Sequence, residues 1–158
     1  MNETMRRADR QLADEETRRL FREAEYGVLS LIDENNMPYG VPMSFALVGD
    51  TIYFHCSAAG GKKTSSIEHC RNASFTVVDH TQLLPQQFGT LYMSGIAYGT
   101  ICIVHDDAEK RKGIEAILHK YSPDYIEKGM AYIDHAIDKI YVLKFEIEKM
   151  TGKGRKGK

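Results

Sequence analysis

Gly60-Gly61-Lys62-Lys63 is the stretch of this chain best equipped to hold an anion. Glycines let neighbouring amides converge, and two cations at the start of a helix oppose its dipole unless an anion sits with them. The spacing is not that of the GxxxxGK[ST] phosphate loop, so the motif is weak on its own. His55 lies shortly upstream and is the one histidine expected inside a strand beside a flat face of the sheet described below. An unperturbed imidazole titrates near neutrality, so it could move a proton or contact a ligand. On pattern alone a half-buried histidine bonded to backbone is the commoner case, and that reading stands beside the first.

The strands that would position these groups adjoin them. Residues 39–47 alternate Tyr39, Val41, Met43, Phe45 and Leu47 with Gly40, Pro42, Ser44 and Ala46. Period two puts the large side chains on a core-facing side and leaves the other side small enough for something flat to lie on it. After a Gly-Asp turn, residues 51–57 set Ile52, Phe54 and Cys56 against Tyr53, His55 and Ser57. A flat platform beside an anion cradle suits a phosphorylated aromatic cofactor.

Other chemistries have less support. Cys56 falls on the core face, where a thiol is inert. With Cys70 and Cys102 it shows no CxxC spacing, so neither a metal site nor a disulfide framework is expected. No serine sits in a GxSxG elbow. His105 precedes Asp106 and Asp107 at a helix start, where capping accounts for both acids. His119 and His135 read as helix-surface residues. At 158 residues and a net charge of -1, the chain makes one domain with no strong field toward nucleic acid or anionic membrane. No run is long enough to span a bilayer, and no apolar segment follows the early arginines, so a soluble, cytoplasmic protein is expected.

Taken in order, an acidic first turn at Asp14-Glu15-Glu16 predicts a short helix to about Ala24, anchored by Leu12, Leu20 and Phe21. Strands follow at 27–33, 39–47 and 51–57, the first two joined as a hairpin through Glu34-Asn35-Asn36. A short helix at 64–70 turns Ile67 and Cys70 inward, and another strand covers 73–80. Residues 81–89 read as a long loop. The strand at 91–104 carries Gly95 and Gly99, marks of a bulge, a bend or close approach by a ligand. Helices are expected from Asp106 to about Tyr121 and from Pro123 to about Ala136, then a strand at 140–150. The pattern is mainly β with flanking helices: a six-stranded antiparallel split β-barrel, as one domain over residues 1–150. Residues 151–158 form a basic Gly/Lys-rich tail expected to fray; its four cations lack the interleaved aromatics of a nucleic-acid site.

Several segments in this order resemble the FMN-binding split barrels related to pyridoxamine 5'-phosphate oxidase, closest to the nitroimidazole-resistance (Nim-type) branch. They are MRRADR before a helix, PYGVPMSF, IYFHCS followed by GKK, SGIAYG, and a closing strand with TGK. The resemblance spans nearly the whole chain and implies FMN bound at the interface of a homodimer. It implies that Val41, Pro42, Met43, Ser44 and Phe45 lie along the isoalloxazine and ribityl chain, with His55 beside the flavin. By the same resemblance Lys62 and Lys63 hold the phosphate, and Ser94 and Gly95 come from the second subunit to the ring. The oxidase proper has basic residues where this chain has Val41 and Ala46, and its substrate-phosphate cluster has no counterpart, so vitamin B6 oxidation is not expected. The implied activity is FMN-dependent reduction of a small, flat, electron-poor molecule, with His55 as the candidate general acid. The alternative is a non-catalytic flavin- or haem-binding module on the same barrel.

Overall fold

The computed structural model describes residues 5–157; residues 1–4 and 158 of the expected domain and tail lie outside the described residues. Among the described residues four α-helices are present: α1 (Asp14–Glu23), α2 (Lys62–His69), α3 (Asp107–Tyr121) and α4 (Ile126–Ala136). Seven strands form one antiparallel sheet: β1 (Gly27–Ile32), β2 (Pro38–Met43), β3 (Ala46–Val48), β4 (Thr51–Ser57), β5 (Asn72–Leu84), β6 (Gly89–Ile103) and β7 (Ile140–Arg155). Their order is β2-β1-β5-β6-β7-β4-β3. Among the described residues no helix is long and apolar enough to cross a membrane.

The expected mainly β, antiparallel architecture with flanking helices is present, but the six strands expected are seven and they form one sheet that does not close. The strand expected over 39–47 is two strands, because Ser44 and Phe45 belong to neither. β2 pairs with β1, ending at Met43 opposite Gly27, while β3 pairs with β4 from Ala46 opposite Tyr53. The two edges of the sheet are therefore consecutive in the chain, and the sheet curls until they meet at the bend without bonding to each other.

The concave side holds the main core. Phe45 and Phe75 meet edge-on with ring centroids 4.7 Å apart, and Phe54 meets Phe75 at 4.9 Å. Each such pair adds about 0.5–1.5 kcal/mol beyond area burial. Leu12, Leu20 and Phe21 are all buried here, as the sequence predicts. A second cluster lies on the opposite side of β3, β4 and β7, where Ala46, Tyr53 and Val142 are covered by Ile114 and Ile117 of α3 and Ile133 of α4. Asp106 caps α3 by accepting the Glu109 amide at 3.3 Å.

Two irregular segments proved to be strand. β5 continues to Leu84 through a shift between Asp79 and Gln82, and β6 restarts at Gly89, so the expected long loop shrinks to a turn over Pro85–Gln87. Residues 151–155 of the tail expected to fray are the last part of β7, with Gly152 opposite Gly95 and Lys153 opposite Ser94. They are held from the other side as well, since the Leu12 amide donates to the Gly152 carbonyl at 3.0 Å.

That Gly95 and Gly152 pair explains how α1 reaches the core. A Cβ on Gly95 would stand 2.4 Å from the Phe21 ring, and one on Gly152 would stand 2.1 Å from the Thr17 hydroxyl. The close approach signalled by Gly95 is thus made by a helix. Gly99 sits at a bulge, where a Cβ would meet the Glu146 carbonyl at 1.9 Å. Gly95→Leu is accordingly expected to destabilise the fold by at least about 2 kcal/mol through overpacking against a ring that cannot move. Chemical denaturation of the cofactor-free protein measures this; wild-type stability with lost ligand binding would instead return Gly95 to a ligand-facing role.

Lys120, in the last turn of α3, is a cation built into this framework. Its Nζ donates to the Ala24 carbonyl at 2.7 Å, capping α1, and stands 3.6 Å from the Phe45 ring centroid. Burial lowers its pKa to about 8. Between that value and the ordinary 10.5 the unfolded chain binds more protons, so stability rises with pH across the window. The gain is at most about 3 kcal/mol, reduced by whatever water reaches the amine. Subtracting the pH profile of Lys120→Met from that of the wild type isolates it; parallel profiles would refute it.

Candidate functional site

α2 begins at Lys62, so both lysines lie in its first turn. Gly60 and Gly61 bring the chain in with φ of 78° and 133°, conformations that side-chain-bearing residues rarely adopt. A Cβ on Gly61 would meet nothing within 4 Å, and no side chain caps the helix. Uncapped first-turn amides, open space and adjacent cations fit an anionic group.

The two lysines are not equivalent. Lys62 pairs with the Asp33 carboxylate at 3.0 Å and lies 4.9 Å from the Tyr39 ring centroid. Asp33 also accepts the Met37 and Asn35 amides, each at 2.9 Å. The Met37 amide first, and Lys62 next, hold its pKa below the ordinary carboxylate value. Lys63 lies near enough to β4 for its charge to act on His55 and Cys56. Asp33 was not singled out in the sequence; an acid closing an apolar strand before Glu34-Asn35-Asn36 was the available signal.

His55 stands on the outer side of β4, opposite Val142 of β7, and is exposed. One side of it borders an apolar pocket of about 120 Å³ lined by Ile114, Ile133, Ile137 and Ile140. Desolvation there, and next the charge of Lys63, push the imidazole pKa down, so His55 is mainly neutral at pH 7. Tyr53 shares the outer side but lies buried beneath α3, its hydroxyl donating to Glu109.

Across the bend, the β3–β4 register continued two residues beyond Ala46 and Tyr53 would set Ser44 opposite His55. That pairing is not made, and the resulting gap is the split between the strands. Antiparallel alternation aims the Ser44 backbone groups toward β4 and those of Phe45 toward β1. Pro42 and Ser44 are exposed, Val41 is half-buried, and Met43 and Phe45 are buried. Only backbone is therefore offered at 43 and 45, and the Phe45 amide is already bonded to the Tyr121 hydroxyl at 3.0 Å.

Ser94 is distant in the chain but shares the sheet's bare outer side. One row across that side runs Pro42, Val28, Thr76, Ile96 and Thr151, and the next holds Val78, Ser94 and Lys153. Val28 and Val78 are exposed there. Ser94 donates to the Lys153 carbonyl at 3.3 Å. Gly95, one residue on, faces the core, so only its backbone is available to anything outside.

A family model described as pyridoxamine 5'-phosphate oxidase matches residues 13–154. No curated protein matches the sequence. A candidate 5-nitroimidazole antibiotic resistance protein from Bacteroides thetaiotaomicron superposes with a TM-score of 0.79 at 24% identity, over 91% of this chain and 86% of that one. A flavocytochrome from Azotobacter vinelandii gives a TM-score of 0.82 at 21% identity, over 98% of this chain and 73% of that one. An FAD-binding protein from Mesorhizobium loti gives 0.65 at 19%, over 94% and 97%. At such identities these likenesses establish the fold alone.

Proposed function

The chain belongs to the pyridoxamine 5'-phosphate oxidase family, and from that premise we propose that it is a homodimeric FMN-dependent oxidoreductase. Its substrate is a small, flat, electron-poor molecule such as a nitroaromatic. The observation that carries this reading is the unpaired gap between Ser44 and His55, with Lys63 and the uncapped end of α2 beside it. The flavocytochrome and the FAD-binding protein among its structural neighbours support a flavin on this fold, and the nitroimidazole-resistance candidate supports a nitroaromatic substrate. A helix N-terminus with cations beside it fits a terminal phosphate and a pyrophosphate alike, so FMN rather than FAD is taken from the family resemblance and not from the site.

In this reading Lys63, joined by Lys62 and the first-turn amides of α2, holds the phosphate. Pro42 and Ser44 border the ring and ribityl chain on their exposed side, and Val41, Met43 and Phe45 support them from the core. Ser94 and the Gly95 backbone of the second protomer complete the pocket across the bare sheet face. Bound FMN supplies two-electron redox chemistry. The Ser44 backbone presents a fixed dipole to the ring edge, which stabilises charge there without reorganisation. His55 donates the proton the reduced substrate needs. With neutral Val41 and Ala46 in place of basic residues, vitamin B6 phosphates are poorly matched, and the protein is read as cytoplasmic with no nucleic-acid partner.

The alternative, a non-catalytic flavin or haem module, gains one observation: His55 opens on an apolar pocket. At about 120 Å³ that pocket is far smaller than a haem, which weighs against it. The absorption spectrum and solution mass of the purified protein test the proposal. Flavin bands near ~375 and ~450 nm, FMN released on denaturation and a dimer mass are expected. A Soret band favours the haem module, and a protein that neither carries nor takes up FMN overturns the reading. A monomer holding stoichiometric FMN contradicts the shared pocket.

A further inference from the structure

The pairing of β1 with β2 stops one step earlier than its register requires. The two strands meet at Ile32 opposite Pro38 and run to Gly27 opposite Met43, with the Asp33 amide bonded to the Met37 carbonyl beyond the far end. In that ladder hydrogen-bonded pairs alternate, so the next one would join Glu25 to Phe45. The Tyr121 hydroxyl lies in its place. It accepts the Phe45 amide at 3.0 Å and has the Glu25 carbonyl at 2.5 Å and the Phe45 carbonyl at 3.1 Å as acceptors for its proton. A side chain from the last turn of α3 is thus inserted between two strands like a bound water, satisfying groups that would otherwise bond to each other.

We propose that Tyr121 is a positioning residue, a wedge that parts β2 from β1 at Phe45 and so sends the chain across to β4, leaving the Ser44 backbone facing the open gap. Lys120 fixes the wedge from the neighbouring position, bonded to the Ala24 carbonyl and lying over the Phe45 ring. Without the hydroxyl, Glu25 and Phe45 can close on each other, β2 is drawn toward β1, and Ser44 turns from the gap. Where this bears on the cofactor it rests on the function proposed above; the wedge itself does not.

The test pairs Tyr121→Phe with Tyr53→Phe. Tyr53, in the last β3–β4 pair before the gap, also loses a buried hydroxyl bond to α3, at Glu109, but not one that holds two strands apart. In the cofactor-free protein the Phe45 amide must change partner in Tyr121→Phe, which nuclear magnetic resonance reads as a moved amide shift or altered exchange. An amide unchanged from wild type overturns the wedge, whether or not the protein binds flavin. With FMN, Tyr121→Phe should bind about tenfold more weakly and shift the visible flavin bands, the loss expected when one or two backbone contacts are misplaced. Tyr53→Phe should stay within about twofold of wild type. Equal effects of the two variants, or a moved Phe45 amide with wild-type FMN affinity and spectrum, would refute positioning. A wild-type protein that takes up no FMN defeats the proposed function, and the amide result then still decides the wedge.

Discussion

Replacing Lys62 and Lys63 together with alanine is expected to weaken FMN by about a hundredfold or more, since charge-assisted hydrogen bonds are worth roughly 1.5–3 kcal/mol each. The larger share belongs to Lys63. It has no carboxylate partner among the ion pairs of the described residues, and its field already reaches His55. Lys63→Ala alone should cost about tenfold or more. Lys62 is engaged by Asp33, so an arriving phosphate must share it. Lys62→Ala should cost less affinity, and the Met37 and Asn35 amides should keep Asp33 ionised. Quenching of flavin fluorescence on titration gives all three affinities. Wild-type binding in both single variants and the double one would remove the phosphate from this helix end.

His55→Ala should retain bound FMN and the dimer while nitroaromatic reduction per flavin falls by about a hundredfold, the usual loss of a general acid. The pH profile carries the sign. Burial and Lys63 lower the folded pKa, so the proton-bearing imidazolium is scarce at pH 7 and grows as pH falls through that depressed value. Wild-type turnover should therefore rise toward acid, and His55→Ala should lose that rise. Lower FMN occupancy with normal turnover per flavin would make His55 an orienting contact. If neither quantity moves, it is a structural histidine at the rim of an apolar pocket.

Local chemistry in the chain was enough for much of this. Alternation separated Met43 and Phe45 from Pro42 and Ser44, and the structure buries the first pair and exposes the second. Gly60 and Gly61 before two lysines marked a Gly-rich loop opening a helix, and the structure gives both glycines the positive φ that only glycine takes freely. Family membership was legible in the order of several weak segments, since order along a chain survives where single motifs do not discriminate.

Long-range contact decided the rest. A period of two cannot tell whether a glycine makes room for a ligand or for another part of the chain; Phe21, far off in sequence, fills the space over Gly95. Nor can it show a strand changing partners midway, because residues 39–47 alternate without interruption and the break at Ser44 and Phe45 comes from a tyrosine on α3. The polar tail reads as frayed because its two inward positions are glycines, and it becomes strand only because β6 and α1 are there to meet it. Composition, spacing and turn chemistry determined the elements and the kind of site. Which elements touch, and hence where the sheet opens, depended on pairings between distant residues that no local pattern encodes.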